Sequence, residues 1–291
     1  MCGIFGIWSA NPGHFARAAE QLSIIRHRGP DAQGSWTGGG AFLGSCRLRI
    51  IDLEGGRQPM LNDRNGDCIV FNGELYNYLD LRPLLEAKGH TFRTQSDTEV
   101  VLRAYEEWGV ECLKKFNGMF AFAIRDSRKN QLLIARDRVG EKPLYYYQEE
   151  DRLVFASEIK AIVADPTVPR EVSPRGLSNY LAFGHSMAPD TIYKGIFKLL
   201  PAHYMIAREG RVEIAEYWDV GDEPQCSGDG KPDEREYTGR ILGLLDDSVR
   251  RRMVADVPVG AFLSGGIDSS AVVALMRRHA TGTVKTFSLG F

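Results

Sequence analysis

A polar segment near residue 220 divides this chain into two parts of different character. The stretch Asp219–Glu236, DVGDEPQCSGDGKPDERE, is rich in glycine, proline and acidic residues and has almost no apolar side chains, which is typical of an exposed linker. The sequence therefore predicts a first domain over residues 1–218, a linker over residues 219–236 and a second domain over residues 237–291.

The first domain is predicted to consist mainly of β-strands. Short apolar runs separated by turn residues have strand character at Ile4–Trp8, Ala41–Ile51, Cys68–Asn72, Phe116–Ile124, Gln131–Arg136, Pro143–Tyr147 and Leu153–Ser157. Helical periodicity appears at His14–Ile25 and Asp97–Trp108, and Ser96 with Glu99 forms a capping-box pattern before the second helix. Strands and helices segregated in this way predict an α+β fold in which stacked sheets are flanked by helices.

The second domain shows an alternating order of helix and strand. Its predicted elements are an amphipathic helix over residues 241–253, a continuously apolar and therefore buried strand at Val257–Leu263, a helix from about Ser269 to His279, and a strand at Val284–Leu289. A strand, a helix and a further strand in this order predict the beginning of an α/β domain with a parallel sheet.

Composition and charge exclude several classes of function. The net charge of -2 and the pI near 6.3 give no electrostatic reason to expect a nucleic-acid partner or an anionic membrane surface. No apolar run approaches the roughly 18 to 20 residues of a membrane span, and the N-terminus has no basic signal-peptide region. The five scattered cysteines contain no CxxC pair, which argues against a disulfide framework or a zinc site. A cytoplasmic protein is therefore expected.

Cys2 is a candidate nucleophile because it can become the N-terminal residue. Removal of Met1, which the small second side chain permits, would place a thiol and a free α-amine on one residue. An α-amine titrates near pH 7.7 to 8.0, roughly, so part of it is a neutral base that can take the thiol proton without a histidine. The alternative is that Cys2 is only a small residue at the second position, and the MCG segment alone favours that alternative.

Polar residues in three other segments could complete a site around this thiol. Arg47, at the end of a predicted strand, could hold a carboxylate through two guanidinium nitrogens or could be a solvated strand-end charge. Asn72 and Gly73 offer a side-chain amide and a backbone N–H to a developing oxyanion, although Asn-Gly is also a strong hairpin-turn signal. Asp97 lies in the first turn of a helix, where the helix dipole alone accounts for an acid. Each of these signals is ambiguous by itself.

Together these residues resemble the class II glutamine amidotransferases, an N-terminal-nucleophile family with stacked antiparallel sheets flanked by helices. The resemblance extends to about residue 215 and is carried by the segments MCGIFGI, RHRGPD, RLRIID, FNGELYN, SDTEV, GMFAFAI, RDRVGEKPLYY and FASEIKA. His27 in RHRGPD is interpreted as a hydrogen-bonded framework residue rather than as a base.

The resemblance implies a role for each candidate residue of the first domain. Cys2 would attack the side-chain amide carbon of glutamine, and Asn72 with Gly73 would form the oxyanion hole. Arg47 would bind the substrate α-carboxylate and Asp97 its α-ammonium. The implied glutamine pocket also includes Leu48, Arg49, Ile50, Ile51 and Glu74.

A second site is predicted at the segment LSGGIDSS, which connects a strand to a helix in the second domain. Its backbone N–H groups can point at phosphate oxygens at the positive end of the helix, although a simple strand-to-helix turn is the alternative. The segment lacks the lysine of a GxxxxGK[ST] loop and resembles the SGGxDS loop of the ATP pyrophosphatases, which form acyl-adenylates. The resemblance implies that ATP is bound by Leu263, Ser264, Gly265, Gly266, Ile267, Asp268, Ser269 and Leu289, with Asp268 as a Mg²⁺ ligand.

The order of the two domains resembles the glutamine-hydrolysing asparagine synthetases. In that family ATP activates aspartate as β-aspartyl-AMP, and ammonia from glutamine displaces AMP. The resemblance implies glutamine, aspartate and ATP as substrates, with neither a nucleic-acid nor a membrane partner, and allows a homo-oligomer. Two alternatives stay open: a related amidotransferase with a different carboxylate acceptor, and a non-catalytic remnant that serves in binding or regulation.

The second domain is short for its class. Only two strands are predicted in residues 237–291, whereas a doubly wound domain usually needs about 100 residues or more. The sequence is therefore expected to be a truncated chain that hydrolyses glutamine but does not make asparagine.

Overall fold

The computed structural model describes residues 1–222 and 233–290, and each of these two ranges forms a compact unit. Residues 223–232 of the predicted linker, with Cys226, lie outside the described residues. At the edges of the predicted linker, Val220–Asp222 forms a 3-10 turn and a helix begins at Glu234. Asp233 caps this helix by accepting a hydrogen bond from the backbone N–H of Arg235 at 2.9 Å.

The described strands of the first unit form two six-stranded antiparallel sheets. The first sheet has the order β10-β8-β9-β1-β3-β2 and contains β1 (Gly3–Trp8), β2 (Ala32–Gly38), β3 (Ala41–Arg47), β8 (Tyr145–Glu149), β9 (Arg152–Ala156) and β10 (Ile196–Lys198). The second sheet has the order β12-β11-β7-β6-β5-β4 and contains β4 (Met60–Leu61), β5 (Cys68–Leu75), β6 (Gly118–Asp126), β7 (Gln131–Arg136), β11 (His203–Arg208) and β12 (Arg211–Glu216).

The two sheets pack face to face, with helices on their outer faces. Successive side chains of β6 alternate: Ala121 and Ala123 belong to the core between the sheets, whereas Phe120 and Phe122 belong to the core under the helices. The helices of this unit are α1 (Ala18–Ser23), α2 (Tyr78–Ala87), α3 (Asp97–Trp108), α4 (Cys112–Lys115), α5 (Ile159–Val163) and α6 (Pro174–Phe183). The predicted α+β architecture of stacked antiparallel sheets flanked by helices is confirmed.

Several predicted boundaries in the first unit are wrong for local reasons. The helix predicted at His14–Ile25 is divided into a 3-10 turn at Pro12–Phe15 and the short helix α1, because Asn11 caps the turn through the N–H of Gly13. The strand predicted at Ala41–Ile51 ends at Arg47, whose guanidinium folds the following loop. No element was predicted from the sequence at β2, β4, β10 to β12, α2, α4, α5 or α6.

The second unit contains α7 (Glu234–Arg252), β13 (Gly260–Phe262), α8 (Ile267–His279) and β14 (Lys285–Phe287). The two strands are parallel, with Ala261 facing Thr286, so the predicted start of a parallel α/β sheet is confirmed. The burial predicted for Val257–Leu263 is wrong: the Phe262 side chain is 76% exposed, because the small core gathers around α7 and α8. Helix α8 begins two residues before the predicted Ser269, since Gly266 takes the N-cap position.

None of the helices in residues 1–222 and 233–290 is both long enough and apolar enough to cross a bilayer.

Candidate active site

Most residues predicted for the glutamine site line one pocket of the first unit. The pocket lies where the N-terminus, the loop after β3, the end of β5 and the start of α3 meet. Its walls are formed by Cys2, Arg47, Leu48, Ile50, Ile51, Gln58, Phe71, Gly73, Glu74, Ser96, Asp97 and Thr98. Arg49 and Asn72 are absent from these walls. The Arg49 N–H donates to Asp31, and its guanidinium lies 3.5 Å from Glu54.

The Cys2 thiol is held against the backbone of the loop after β3. The Leu48 N–H donates to Cys2 Sγ at 3.4 Å, and Sγ lies 3.5 Å from the Leu48 carbonyl oxygen. Burial raises the pKa of the Cys2 thiol, against the opposing effects of the Leu48 N–H and the terminal amine. The resting thiol is therefore neutral near pH 7 and needs a base before it can act as a nucleophile. Burial also lowers the pKa of the terminal amine, which here belongs to Met1.

Asn72 and Gly73 lie inside a strand rather than in a turn. Within β5 they face Ala121 and Phe120 of β6, and the strand continues to Leu75. The hairpin-turn alternative for Asn-Gly is therefore wrong, as is the predicted strand end at Asn72. A Cβ atom on residue 73 would overlap the Met119 carbonyl oxygen, so this close approach of two strands requires glycine.

The backbone N–H of Gly73 faces the pocket. Alternate residues of a strand point their N–H groups to the same edge, and those of Phe71 and Leu75 donate away from β6, to Gln58 and to Asp97. On the β6 side, the Phe120 N–H donates to Asp137 instead of pairing with Gly73. The Gly73 N–H is thus directed toward the space between Gln58 and Asp97.

The Asn72 side chain is a buried amide with unused hydrogen-bonding capacity. The residue is 1% exposed, and neither its Oδ1 nor its Nδ2 has a hydrogen-bond partner within the described part of the chain. Buried polar atoms are normally paired, because an unpaired one costs about 1 to 3 kcal/mol. An unpaired amide next to the Gly73 N–H is the arrangement expected of a preformed site for a ligand oxygen.

Arg47 organises the loop that carries the pocket wall. Its Nη1 donates to Leu53 O at 3.2 Å, and its Nη2 donates to Ile51 O at 2.8 Å and to Asp52 O at 2.9 Å. The residue is 5% exposed, so the alternative of a solvated strand-end charge is wrong. A guanidinium has five N–H donors, and this geometry leaves donors for an anionic ligand.

Two carboxylates oppose this guanidinium in the pocket. Asp97 accepts the Leu75 N–H at 3.0 Å, and Glu74 follows Gly73 on β5. Burial raises the pKa of both carboxyl groups, and their mutual repulsion adds to the effect on Glu74. A cationic ligand group would relieve this repulsion. The pocket therefore suits a ligand that carries both a carboxylate and an ammonium.

The start of α3 is fixed by side chains on both sides of its first turn. Ser96 caps the helix as predicted, accepting the Thr98 N–H at 3.2 Å. The predicted reciprocal half of the capping box is wrong, because the Glu99 carboxylate accepts the N–H groups of Arg93 and Thr94 instead of that of Ser96. The Glu99 side chain therefore fixes the loop before α3 to the first turn of that helix.

No site role was predicted from the sequence for four residues of the pocket wall, nor for two residues of the loop beside the N-terminus: Gln58, Phe71, Ser96 and Thr98, and Asp137 and Lys142. Gln58 connects two walls, since its Oε1 accepts the Phe71 N–H at 2.7 Å and its Nε2 donates to Thr98 Oγ1 at 3.3 Å. Lys142 and Asp137 lie in the segment RDRVGEKPLYY, which signals a family resemblance but no contact with the N-terminus. His27 pairs with Glu158 at 2.9 Å and does not line the pocket.

The Gly-rich segment of the second unit forms a compact turn at the start of α8. Ser264 Oγ and Ser269 Oγ lie 3.0 Å apart, and Gly265 has a φ of +84°, a conformation that favours glycine. Asp268 lies in the first turn of α8, but among the described residues it joins no group of three or more side chains able to hold a metal. One carboxylate is nevertheless compatible with Mg²⁺ that is held largely by phosphate oxygens. The side chains of Ile267 and Leu289 are exposed.

Family models match both units. A glutamine amidotransferase domain model matches residues 1–218, and an asparagine synthase model matches residues 240–291. Asparagine synthetase [glutamine-hydrolyzing] 3 of Bacillus subtilis is 41% identical over 286 residues, covering 96% of this chain and 46% of the relative. Asparagine synthetase [glutamine-hydrolyzing] 1 of the same organism is 38% identical over 300 residues, covering 100% of this chain and 46% of that relative. The chain thus spans about half the length of these relatives.

A solved structure supports the fold assignment. The glutamine phosphoribosylpyrophosphate amidotransferase from B. subtilis superposes with a TM-score of 0.52 at 19% identity, covering 99% of this chain and 65% of that one. At this identity the likeness concerns the fold alone.

Proposed function

This chain belongs to the glutamine amidotransferase domain family, and from this premise we propose that Cys2, once Met1 has been removed, hydrolyses glutamine to glutamate and ammonia. The observation that carries the proposal is that the half-buried Cys2 thiol and Gly73 line one pocket, while the adjacent Asn72 has a buried side-chain amide without a partner among the described residues. The charges of the pocket support the same substrate, because the α-carboxylate of glutamine complements Arg47 and its α-ammonium complements Asp97 and Glu74.

The proposed reaction uses groups of this chain in two stages. The α-amine of Cys2 takes the thiol proton, and Sγ attacks the side-chain amide carbon of glutamine. The Asn72 amide and the Gly73 N–H stabilise the oxyanion, and the amine returns its proton to the departing ammonia. Water then attacks the thioester, with the amine again as base, which releases glutamate and restores the thiol.

For the second unit we propose ATP binding at the turn before α8. The backbone N–H groups of residues 264–269 would face the phosphates, Leu263 and Leu289 would flank the nucleotide, and Asp268 would contribute to a Mg²⁺ site. Bound Mg²⁺ would neutralise phosphate charge. We propose aspartate as the ammonia acceptor, because the two B. subtilis relatives are named asparagine synthetases.

The nucleophile is tested with a diazoketone analogue of L-glutamine and intact-mass measurement. We expect the wild-type chain to lack Met1 and to gain one adduct on Cys2, and excess glutamine to slow the labelling. The Cys2→Ala variant should gain no adduct. Cys46→Ala, which changes a buried cysteine of β3, is the matched control and should label like the wild type. Retention of Met1, or labelling at another residue, would contradict the proposal.

Arg47→Lys is expected to raise KM for glutamine by about 10- to 100-fold with a smaller change in kcat, because an ammonium cannot hold a carboxylate bidentately. It would also lose contacts to the loop carbonyls. Steady-state glutamate release measures the effect. Arg57→Lys, at an exposed arginine of the same loop, is the control and should change KM less than about twofold. An unchanged KM for Arg47→Lys would remove Arg47 from the binding site.

A further inference from the structure

A buried lysine lies beside the N-terminus. Lys142 is 5% exposed, and its Nζ lies 3.6 Å from Met1 Sδ, a weak hydrogen-bond acceptor. Over the described ranges the Lys142 ammonium forms no ion pair with a carboxylate at salt-bridge distance. Lysine is rarely buried without a partner, because removing its charge from water is costly. Packing alone therefore does not explain why a lysine occupies this position.

The loop around Lys142 is held rigidly. The Lys142 N–H donates to Asp137 Oδ2 at 3.0 Å, and the Glu141 N–H donates to Asp137 Oδ1 at 2.9 Å. Arg136 Nε donates to the Lys142 carbonyl oxygen at 2.7 Å. The direction of the Lys142 side chain toward the N-terminus is thus fixed by the backbone on which it stands.

The charges around the two amines come from several elements. Glu74 of β5, Glu141 of the same loop, Cys2 and Arg28 act on the Lys142 ammonium. Cys2, Arg28, Lys142 and Asp31 act on the terminal amine. Burial is the largest effect on both groups and lowers the pKa of each. Two ammonium groups in one poorly solvated space disfavour each other's charge.

We propose that Lys142 is a positioning residue for the glutaminase reaction: its ammonium keeps the α-amine of Cys2 in the neutral, proton-accepting form after Met1 has left. The inference rests on the function proposed above. Of two neighbouring amines, the one with the lower intrinsic proton affinity gives up its proton. A lysine amine has an ordinary pKa of about 10.4 and an α-amine of about 7.7 to 8.0. Glu74 and Glu141 favour the charge on Lys142, whereas burial, the largest effect, opposes it.

The test is the pH dependence of kcat/KM for glutamine hydrolysis in four versions of the 291-residue chain. Each is produced behind a cleavable leader so that Cys2 is the first residue, which intact mass verifies. Lys142→Met removes the charge, Lys142→Arg retains it, and Lys194→Met, at an exposed lysine, is the control beside the wild type. Lys142→Met should move the acid limb of the profile upward by about one pH unit, whereas Lys142→Arg and Lys194→Met should leave it within about 0.3 units.

The outcomes separate the two proposals. If the wild type releases no glutamate, the proposed function fails. If Lys142→Met lowers kcat at every pH without moving the acid limb, Lys142 is only structural and the inference is wrong. Thermal melting shows whether Lys142→Met folds. If it does not fold, Lys142→Gln, which keeps a polar end without the charge, takes its place: an acid limb moved upward by about one pH unit supports the inference, and an unmoved limb overturns it.

Discussion

Replacing Asn72 with alanine is expected to lower kcat for glutamine hydrolysis by about 10²- to 10³-fold, the usual effect of removing one oxyanion donor. Because Oδ1 and Nδ2 of Asn72 have no partner among the described residues, the change breaks no hydrogen bond of the resting protein. The free energy of unfolding should therefore fall by less than about 1 kcal/mol. Glutamate release and urea denaturation, measured on the same preparation, test both parts.

Asn62 offers a matched control for Asn72. It is equally buried, at 1% exposure, but its side chain is fully engaged: Nδ2 donates to Glu106 at 3.0 Å and Oδ1 accepts from Arg103 at 2.8 Å. Asn62→Ala should lower stability by about 2 kcal/mol or more and leave kcat within about twofold. If Asn72→Ala behaved like Asn62→Ala, losing stability but not kcat, Asn72 would be a framework residue.

Asp137→Ala is expected to lower the free energy of unfolding by about 3 to 5 kcal/mol. The Asp137 carboxylate is fully buried and accepts four backbone N–H groups, those of Phe120 at 3.1 Å, Val139 at 3.2 Å, Glu141 at 2.9 Å and Lys142 at 3.0 Å. Its loss would leave buried donors unpaired at several points along one loop. Urea denaturation measures the effect.

The control for Asp137 is an acid in an exposed turn. Asp151→Ala should change the stability by less than about 0.5 kcal/mol. The loss of stability for Asp137→Asn should lie between the losses for Asp137→Ala and Asp151→Ala. Asparagine keeps one acceptor oxygen and replaces the other with an amide donor. A loss below about 1 kcal/mol for Asp137→Ala would show that water replaces the carboxylate and that the loop does not depend on it.

The sequence predicted the layers of the first unit because most of its buried strands are short apolar runs bounded by turn residues. It did not predict β10 to β12, since their burial is partial and their apolar pattern correspondingly weak: Ile214 of β12, for example, is 46% exposed. Helix α2 was missed because Pro83 lies inside it, where proline usually ends a helix. Helix α6 was missed although Leu177, Tyr180 and Leu181 recur at helical spacing, and in the structure these apolar side chains are exposed, Leu181 at 77%.

The candidate site was predictable where a short motif carried the chemistry, and not where folding brought distant residues together. Cys2, Arg47, Gly73 and Asp97 line one pocket, and Asn72 precedes Gly73 on the same strand. The sequence around Gln58 does not indicate that its side chain connects two walls of the pocket. The sequence around Lys142 does not indicate that its side chain reaches Met1, 141 positions away. The hydrogen bonds of Glu99 also depend on tertiary structure. Its carboxylate accepts N–H groups from the loop before α3, and residue propensities do not predict the conformation of that loop.

The short strand β4 has a consequence for the site beside it. Extending the register of Met60 opposite Ile69 would place residue 58 opposite Phe71 and residue 56 opposite Gly73. At the first of these steps the side chain of Gln58, rather than a main-chain carbonyl, receives the Phe71 N–H, and the chain turns away from the sheet. The Gly73 N–H therefore lies at the edge of β5 that β4 would cover, but β4 begins only at Met60 and does not reach it. A β4 that continued to residue 56 would pair the Gly73 N–H with main chain and so remove one of the two proposed oxyanion donors.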